Sequence, residues 1–313
     1  MKVLITCPPM LRAIKQFRAT FEANGIDICT PEVVQTLTES QLLELVPQFD
    51  GWIIGDDPAT AQVFEAGKAG RLKAAVKWGV GVDNVDFDAC ARLGIPISNT
   101  PGMFGQEVAD IAMGYVIALA RQTYEIDQAV KAGEWIKPAG ISLAGRKVAL
   151  VGFGDIGRNT AKRLLASGMK VIAYDPYYKI AEGLELVESA EWPTCLDEAD
   201  FIVITCALTP GNRHFLNKEI LAIAKVGVRV VNVARGPLID EEALSAALES
   251  GQVHSAALEV FEVEPLPPAS PLRNFGGHCL FGTHNSSNTL EAVHRTSIKA
   301  IELIDGFLRM SEK

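Results

Sequence analysis

The sequence predicts an α/β fold with two parallel β-sheets, each covered by helices on both faces. Short apolar runs rich in β-branched residues alternate with helical patterns along all 313 residues. Nearly all of these runs are apolar on both faces, which is typical of parallel strands buried between helices. A glycine-rich turn at position 152 follows one such run near the middle of the chain, and a second series of strands follows that turn.

The first series of strands occupies the first third of the chain. Its predicted strands are 2–6, 26–30, 51–55, 74–78 and 95–99, and helical patterns lie near 11–23, 39–46, 60–69 and 86–93. A longer helix is predicted from about 105 to 121, because apolar residues recur there at helical spacing. The residues of its predicted apolar face are Val108, Ile111, Ala112, Tyr115 and Leu119.

The second series of strands supplies the second sheet. Its predicted strands are 147–151, 170–174, 201–205, 228–233, 255–260 and 279–281, with helices near 156–167, 217–225 and 240–250. The last helical segment, about 290–309, is predicted to pack back on the first sheet. The sequence therefore predicts a first domain formed by 1–99 plus 287–313 and a second domain formed by 100–286.

Composition excludes several classes of partner. The formal net charge of −9 argues against a nucleic acid or an anionic membrane as partner. No apolar run is long enough to cross a bilayer, and the N-terminus lacks the apolar core of a signal peptide. Six scattered cysteines without a C-x-x-C pair predict no metal site and no disulfide framework, which fits a reducing cytoplasm.

A dinucleotide-binding motif is predicted at the second sheet. Gly152, Gly154 and Gly157 stand at G-x-G-x-x-G spacing between a predicted strand and a predicted helix. The first glycine permits the tight turn, the second lets the backbone approach a pyrophosphate, and the third permits close packing of helix on strand. A glycine turn in a domain that binds nothing is the alternative, and the strand and helix on either side disfavour it.

Residues beside the glycines indicate which dinucleotide binds. The N–H groups near Asp155 and Ile156 are predicted to face the phosphates from the N-terminus of the helix. Asp175 follows the next strand, where its carboxylate would accept hydrogen bonds from the adenosine ribose diol. The same charge would repel the 2′-phosphate of NADP, so NAD is the predicted cofactor.

Three side chains beyond the motif are suited to chemistry. Arg235 lies between an apolar strand and Gly-Pro, and a guanidinium there can hold a carboxylate and an adjacent carbonyl oxygen. His284 can give or take a proton near neutral pH, and Glu264 is a carboxylate that could pair with it. Taken singly, the arginine is more simply a surface ion pair and the histidine a structural residue.

The order and spacing of Arg235, Glu264 and His284 resemble the D-isomer-specific 2-hydroxyacid dehydrogenase family. The resemblance covers most of the chain and includes GVGVDNVD (79–86), SNTPG (98–102), VADIAMGYVIALAR (108–121), VGFGDIGR (151–158), LTPGNRHFLN (208–217), NVARGPLIDEEAL (232–244) and VFEVEPLPPASPL (260–272). It implies Rossmann-like and flavodoxin-like domains with an active-site cleft between them.

The resemblance also implies roles for single residues. Arg235 would orient the substrate, His284 would be the general acid or base, and Glu264 would pair with that histidine. Backbone groups of Val80 and Gly81 would bind the substrate carboxylate. Further contacts with NAD are implied for Cys206, Ala207, Val233, Ala234, Arg235, Glu259, His284 and Ser286. The family usually forms homodimers through the cofactor domain and the arm near 103–135.

This sequence departs from the family pattern in places. Glu259 stands where the family usually has Asp, in a position that holds the nicotinamide carboxamide, and Thr283 replaces a usual Pro. Asp56 lies near where some phosphoglycerate-specific relatives carry a basic residue, although Lys77 or Arg12 could still meet a phosphate. These departures suggest a subgroup with its own substrate or cofactor pose.

The predicted function is an NAD-dependent dehydrogenase that interconverts a D-2-hydroxy acid and its 2-oxo acid. Phosphoglycerate, glycerate, glyoxylate and lactate remain open as substrates, with D-3-phosphoglycerate dehydrogenase as the specific alternative. A different class is an NAD-sensing scaffold that resembles the corepressors of this family and has no turnover. A formate dehydrogenase is disfavoured, because that subgroup has Gln where this chain has Glu264.

Overall fold

The computed structural model describes residues 1–311, which form two compact units. One unit comprises Met1–Phe104 together with the segment that begins at Asn288, and the other comprises Gly105–Ser287. Each unit holds a parallel sheet with helices, so the predicted fold class is confirmed. The assignment of a substrate domain and a cofactor domain stays a prediction, since it concerns function as well as packing.

The sheet of the first unit has five parallel strands in the order β2-β1-β3-β4-β5. The strands are β1 (Lys2–Ile5), β2 (Asp27–Cys29), β3 (Gly51–Ile54), β4 (Ala74–Lys77) and β5 (Ile97–Asn99). This order is flavodoxin-like. Every residue of β3 and β4 is buried, because helices cover both faces of these central strands.

Short helices follow the strands of the first unit. They are α1 (Pro8–Arg12), α2 (Arg18–Ala23), α3 (Glu39–Leu45), α4 (Ala61–Ala69) and α5 (Phe87–Leu93). Local sequence signals set their ends. The Asp86 carboxylate accepts the Ala89 N–H at the start of α5, and Gly94 ends that helix at φ 63°.

The sheet of the second unit has seven parallel strands in the order β12-β11-β10-β9-β6-β7-β8. The strands are β6 (Lys147–Val151), β7 (Lys170–Tyr174), β8 (Glu188–Ser189), β9 (Phe201–Ile204), β10 (Val228–Asn232), β11 (Val253–Leu258) and β12 (Cys279–Phe281). This is the dinucleotide-binding order with one further edge strand. The strand order progresses outward in opposite directions from β6 and β9, and ligands of such sheets bind at the carboxyl ends of the strands beside that point.

The helices of the second unit include the longer helix that the sequence predicts. They are α6 (Gly105–Arg121), α7 (Thr123–Lys131), α8 (Asp155–Ala166), α9 (Lys218–Ile223) and α10 (Glu241–Ser250). The prediction missed α7 and β8. The two residues of β8 are exposed, so no apolar period marks them, and α7 buries only Ala129.

The last helix, α11 (Leu290–Met310), belongs to the first unit. It packs against β3 and β4, and Ile304 lies so close to Gly51 that a Cβ there would approach it to 3.1 Å. The buried Trp78 indole donates to Ser297 Oγ over 3.2 Å. No helix in the described part of the chain is both long and apolar enough to span a membrane.

Candidate active site

The glycine motif forms a tight turn between β6 and α8. Gly152 has φ 95°, and its N–H donates to the Tyr174 carbonyl over 2.9 Å. A Cβ on Gly152 would come within 2.6 Å of the Cys206 nitrogen, and one on Gly157 would overlap the Gly152 carbonyl oxygen. Both positions therefore require glycine, because the turn, the helix and the strand β9 approach one another without room for a side chain.

The N-terminus of α8 suits an anion. Gly154 is its N-cap and makes no side-chain capping bond, and a Cβ there would meet no protein atom within 4 Å. The Asp155 carboxylate turns away, lying against Gly105 and accepting from Asn159 Nδ2 at 3.1 Å. The backbone can thus approach a pyrophosphate without an opposing carboxylate.

Backbone N–H groups orient the Asp175 carboxylate beside this turn. Its Oδ2 accepts the Phe153 N–H at 2.7 Å and its Oδ1 accepts the Tyr177 N–H at 2.8 Å. The carboxylate is thereby fixed at the carboxyl end of β7, where a ribose diol can donate to it and a 2′-phosphate would be repelled. These residues fit NAD.

Arg235 leaves β10 on a loop that the structure holds at several points. Asn232 braces it, because its Nδ2 donates to the Arg235 carbonyl at 2.8 Å and its Oδ1 accepts the Ala234 N–H at 3.0 Å. A Cβ on Gly236 would overlap the Phe261 carbonyl group, so glycine lets this loop meet the one that carries Glu264. The guanidinium donates to the Ala234 carbonyl over 2.8 Å.

The structure brings together the three side chains singled out for chemistry. His284 Nδ1 and Glu264 Oε2 are 2.8 Å apart, and the two side chains are 23% and 24% exposed. Glu264 Oε1 also accepts the Phe261 N–H at 3.0 Å, which fixes the carboxylate. His284 Nε2 faces Arg235 Nη1 at 3.5 Å. One ring nitrogen thus meets a carboxylate and the other lies beside a guanidinium, an arrangement suited to proton transfer next to a bound anion.

Glu259 is 3% exposed, and its backbone carbonyl accepts the His284 N–H. One of its carboxylate oxygens accepts from the Tyr115 hydroxyl and the other from the Asn285 N–H. Burial raises the pKa of Tyr115, and the hydrogen bond to Glu259 raises it further. Sequence reasoning placed Tyr115 only on an apolar helix face, and its hydroxyl was the one signal of a polar role.

A second histidine–glutamate pair supports the loop that carries Glu264. Glu262 Oε2 lies 2.9 Å from His214 Nε2 and 3.3 Å from Arg213 Nη2. Glu262 and Glu241 exchange hydrogen bonds, since each carboxylate accepts the other's N–H, at 2.7 and 3.1 Å. Burial raises the pKa of Glu241, and the charges of Glu262 and Glu264 add to the rise. Sequence reasoning treated His214 as structural and did not find this network.

The other predicted cofactor contacts follow the carboxyl ends of β9, β10 and β12. They are Cys206, Ala207, Val233, Ala234 and Ser286. Burial raises the pKa of the Cys206 thiol to about 12, so it stays protonated at neutral pH. Among residues 1–311, no three His, Cys, Asp or Glu side chains are grouped so that they could hold a metal ion.

The predicted carboxylate loop of the first unit follows β4. The Gly79 N–H donates to Thr100 Oγ1 at 2.8 Å, and the Val80 carbonyl accepts from Asn99 Nδ2 at 3.0 Å. Lys77 is 2% exposed, and its ammonium donates to the Gly55 carbonyl at 2.5 Å and to Asp56 at 2.9 Å. The suggestion that Lys77 could meet a substrate phosphate is therefore disfavoured, because its ammonium is buried and already bonded to these two acceptors.

The fold and the site together define a class of protein, an NAD-dependent oxidoreductase. A family model described as the NAD binding domain of D-isomer specific 2-hydroxyacid dehydrogenases matches residues 113–286. The chain is 40% identical over 274 residues to the hydroxypyruvate reductase of Thermotoga maritima, covering 86% of this chain and 88% of that one. The chain therefore belongs to the D-isomer-specific 2-hydroxyacid dehydrogenase family.

Other relatives agree with this assignment. The D-3-phosphoglycerate dehydrogenase of Methanocaldococcus jannaschii is 37% identical over 316 residues, which cover 98% of this chain and 57% of that longer protein. The crystal structure of the TT0316 protein from Thermus thermophilus superimposes with a TM-score of 0.88 at 31% identity. That match covers 99% of this chain and 97% of the other.

Proposed function

We propose that the protein interconverts a D-2-hydroxy acid and its 2-oxo acid, with Arg235, Glu264 and His284 as the catalytic residues. The observation that carries this proposal is the position of the His284 ring, with Nδ1 2.8 Å from Glu264 and Nε2 3.5 Å from Arg235. A proton donor beside a guanidinium is what the reduction of a 2-oxo acid requires, since the substrate carries a carboxylate next to the carbonyl that is protonated.

Each side chain has a step in this mechanism. Arg235 binds the carboxylate and polarises the carbonyl oxygen through its parallel N–H groups. His284 Nε2 delivers the proton to that oxygen in reduction and removes it in oxidation, while Glu264 on Nδ1 fixes the tautomer. A bound nicotinamide cofactor would supply the hydride chemistry, as NADH in the reduction and as NAD⁺ in the oxidation. The remaining predicted cofactor contacts, and the Val80–Gly81 backbone as a carboxylate site, are part of the same proposal.

Small unphosphorylated acids, with hydroxypyruvate and glyoxylate first, are the proposed substrates. At the carboxyl edge of the first sheet, the Lys77 ammonium is engaged by Asp56 and the Gly55 carbonyl. Asp57 lies beside them, and burial raises the pKa of its carboxyl. Because Asp57 is fully buried, the carboxylate that a phosphate would meet there is that of the exposed Asp56. Phosphoglycerate is the second candidate, favoured by the likeness to phosphoglycerate dehydrogenases.

Turnover of NADH with a panel of 2-oxo acids tests the proposal. The panel comprises hydroxypyruvate, glyoxylate, pyruvate and phosphohydroxypyruvate. His284→Ala should lower kcat by roughly 10²- to 10⁴-fold, the usual contribution of a general acid, while NADH binding by fluorescence remains. His278→Ala is the control, because that ring contacts His254, through its carbonyl and its ring, and none of the three proposed catalytic side chains among the described contacts. Unchanged turnover in His284→Ala would remove its assigned role.

The same panel separates an enzyme from the NAD-sensing scaffold. The scaffold predicts that NADH binds while no acid of the panel is turned over. The paired His284 and Glu264 favour the enzyme, because a scaffold has no need for an oriented imidazole at the carboxyl ends of the strands of the second sheet.

We also propose a homodimer in a reducing compartment. Exposed apolar side chains lie on α6, α7 and the segment that follows them, and Trp135 is 79% exposed. None of the six cysteines is in a disulfide, which suits a reducing compartment. Light scattering should give twice the chain mass of 33.7 kDa, and Trp135→Ser should lower the measured mass. A wild-type mass of one chain would refute the dimer.

A further inference from the structure

Two consecutive backbone N–H groups at the proposed catalytic histidine are held by a single residue. The His284 N–H donates to the Glu259 carbonyl at 2.8 Å, and the next N–H, of Asn285, donates to the Glu259 carboxylate. Glu259 thus contacts the chain on both sides of the histidine Cα through its backbone and its side chain. The carboxylate is buried, so these hydrogen bonds are shielded from competing water.

The histidine needs such support because its backbone is in an unfavourable conformation. His284 has φ 54°, in the left-handed region that L-residues other than glycine seldom adopt. Residues in such conformations persist only where the surrounding structure determines them, and they are common at functional sites. Any relaxation of this φ would swing the ring away from Glu264 and Arg235.

The other carboxylate oxygen of Glu259 is anchored by a different element. It accepts from the hydroxyl of Tyr115 on α6, and a Cβ on Gly282 would overlap the carboxylate and come within 2.5 Å of that hydroxyl. Gly282 therefore lets the chain after β12 cross directly over the pair. The raised pKa of Tyr115, caused first by burial, keeps the hydroxyl a donor through the working pH range.

We propose that Tyr115 and Glu259 act as a pair of positioning residues that hold His284 in its left-handed conformation and aim its ring. This inference rests on the proposed function of His284. It assigns the longer Glu259 side chain to the protein backbone and to Tyr115, where the family resemblance implied a contact with the nicotinamide carboxamide. Both carboxylate oxygens already have protein donors.

Tyr115→Phe is the sharpest test, because it removes one hydroxyl and keeps the ring. We expect kcat to fall about tenfold, with small changes in KM and in NADH affinity, and the pH–rate profile to shift. Glu259→Gln should retain more activity than Glu259→Ala, since an amide can still accept from the Asn285 N–H. Tyr174→Phe is the control, because it also removes a buried hydroxyl, one that donates to the Thr194 carbonyl at 2.6 Å.

A second readout keeps this test independent of turnover. The protein has five histidines, so ¹³C-labelled histidine gives few ring signals, and His284→Asn assigns the one of interest. Tyr115→Phe should change the pH titration of the His284 signal in the protein without substrate, while Tyr174→Phe should leave it as in the wild type. If the wild type turns over no acid of the panel, the proposed function fails and this titration still decides the pair.

Two results would overturn the inference. One is a His284 titration and a pH–rate profile that are the same in Tyr115→Phe as in the wild type. The other is a loss of NADH affinity in Glu259→Gln with kcat unchanged, which would return Glu259 to a direct cofactor contact. Circular dichroism and thermal melts of each variant show that a loss of activity does not come from unfolding.

Discussion

At the residue scale, the chemistry of this protein depends on how side chains are oriented. Glu264 is fixed by the Phe261 N–H before it meets His284, and Asp175 accepts two backbone N–H groups before any ribose arrives. Carboxylates held in this way lose little further side-chain entropy when they bind a ligand or take part in catalysis, because their rotamers are already set. The catalytic and cofactor roles proposed for these residues follow from that preorganisation.

Asp175→Asn should weaken the preference for NADH. Removing the charge leaves one side-chain acceptor and relieves repulsion of a 2′-phosphate, so NADH affinity should fall about tenfold while NADPH affinity rises. Fluorescence titration with both cofactors measures this change. Glu188→Gln removes an exposed charge on the neighbouring β8 and should alter neither affinity. An unchanged ratio of the two affinities in Asp175→Asn would contradict the assignment.

Glu264→Gln should lower kcat more than it raises KM. An amide can still bond His284 Nδ1 but does not stabilise the protonated ring, so we expect a loss of roughly 10- to 100-fold, smaller than that of removing the imidazole. Steady-state kinetics over a range of pH around neutrality measure it. Glu249→Gln, on the exposed end of α10, serves as the control. A rise in KM with no loss in kcat would indicate a binding role.

At the element scale, the site is built where strands end and loops cross. The turn after β6 passes so close to Cys206 and the start of α8 that only glycine fits, and Gly236 has the same part where the Arg235 loop meets Phe261. These close approaches fix the distance between the cofactor turn, the arginine loop and the carboxylate loop. The packing of these elements therefore positions the site residues more precisely than any single side chain could.

Gly157→Ala should destabilise the second unit and weaken NADH binding. The new methyl group would overlap the Gly152 carbonyl oxygen, so α8 must shift from β6, at about 1–3 kcal/mol of unfolding free energy. Urea unfolding and NADH titration measure the two effects. Gly306→Ala is the matched control, because a Cβ there meets no atom within 4 Å and should stabilise α11 by about 0.5–1 kcal/mol. A stable Gly157→Ala variant with normal NADH affinity would contradict the close packing.

At the scale of the whole molecule, the same hydrogen-bonded aspartate is found at the amino-terminal edge of both sheets. An aspartate precedes a central strand and accepts the N–H at the start of its neighbour: Asp50 accepts from Lys2 at 2.8 Å, and Asp200 accepts from Lys147 at 3.0 Å. Asp50 also pairs with Arg71 at 3.0 Å. Each carboxylate thereby links two neighbouring strands. This role depends on the carboxylate remaining ionised.

The pKa of both aspartates is lowered despite burial. Burial alone would raise the pKa of Asp200, but the hydrogen bonds from Lys225 and the Lys147 N–H, with the charges of Lys225 and Arg146, outweigh it. For Asp50, the Lys2 N–H and Arg71 likewise outweigh burial. Because each folded pKa lies below the ordinary value of 3.8, this stabilisation is complete above 3.8 and is lost as the pH falls through the folded pKa.

Asp200→Asn should therefore destabilise the protein at neutral pH and matter less in acid. We expect a loss of about 1–2 kcal/mol in the free energy of unfolding at neutral pH, shrinking as the pH falls below 3.8. Urea unfolding at a series of pH values measures it. Asp127→Asn weakens exposed contacts with Lys131 and Gln128 and should cost less than about 0.5 kcal/mol. A loss for Asp200→Asn that stays constant with pH would contradict the ionic origin.

Local patterns in the sequence were enough to predict the α/β class, the order along the chain of the strands and helices other than α7 and β8, the glycine turn and the set of Arg235, Glu264 and His284. These features were predictable because apolar periodicity, glycine spacing and motif order are properties of neighbouring residues. The folded structure was needed to show that Tyr115 bonds Glu259, that the buried Lys77 pairs with Asp56, and that His214 pairs with Glu262. Each of these contacts joins residues far apart in the chain, and their distance depends on how strands, helices and loops pack, which no local pattern encodes.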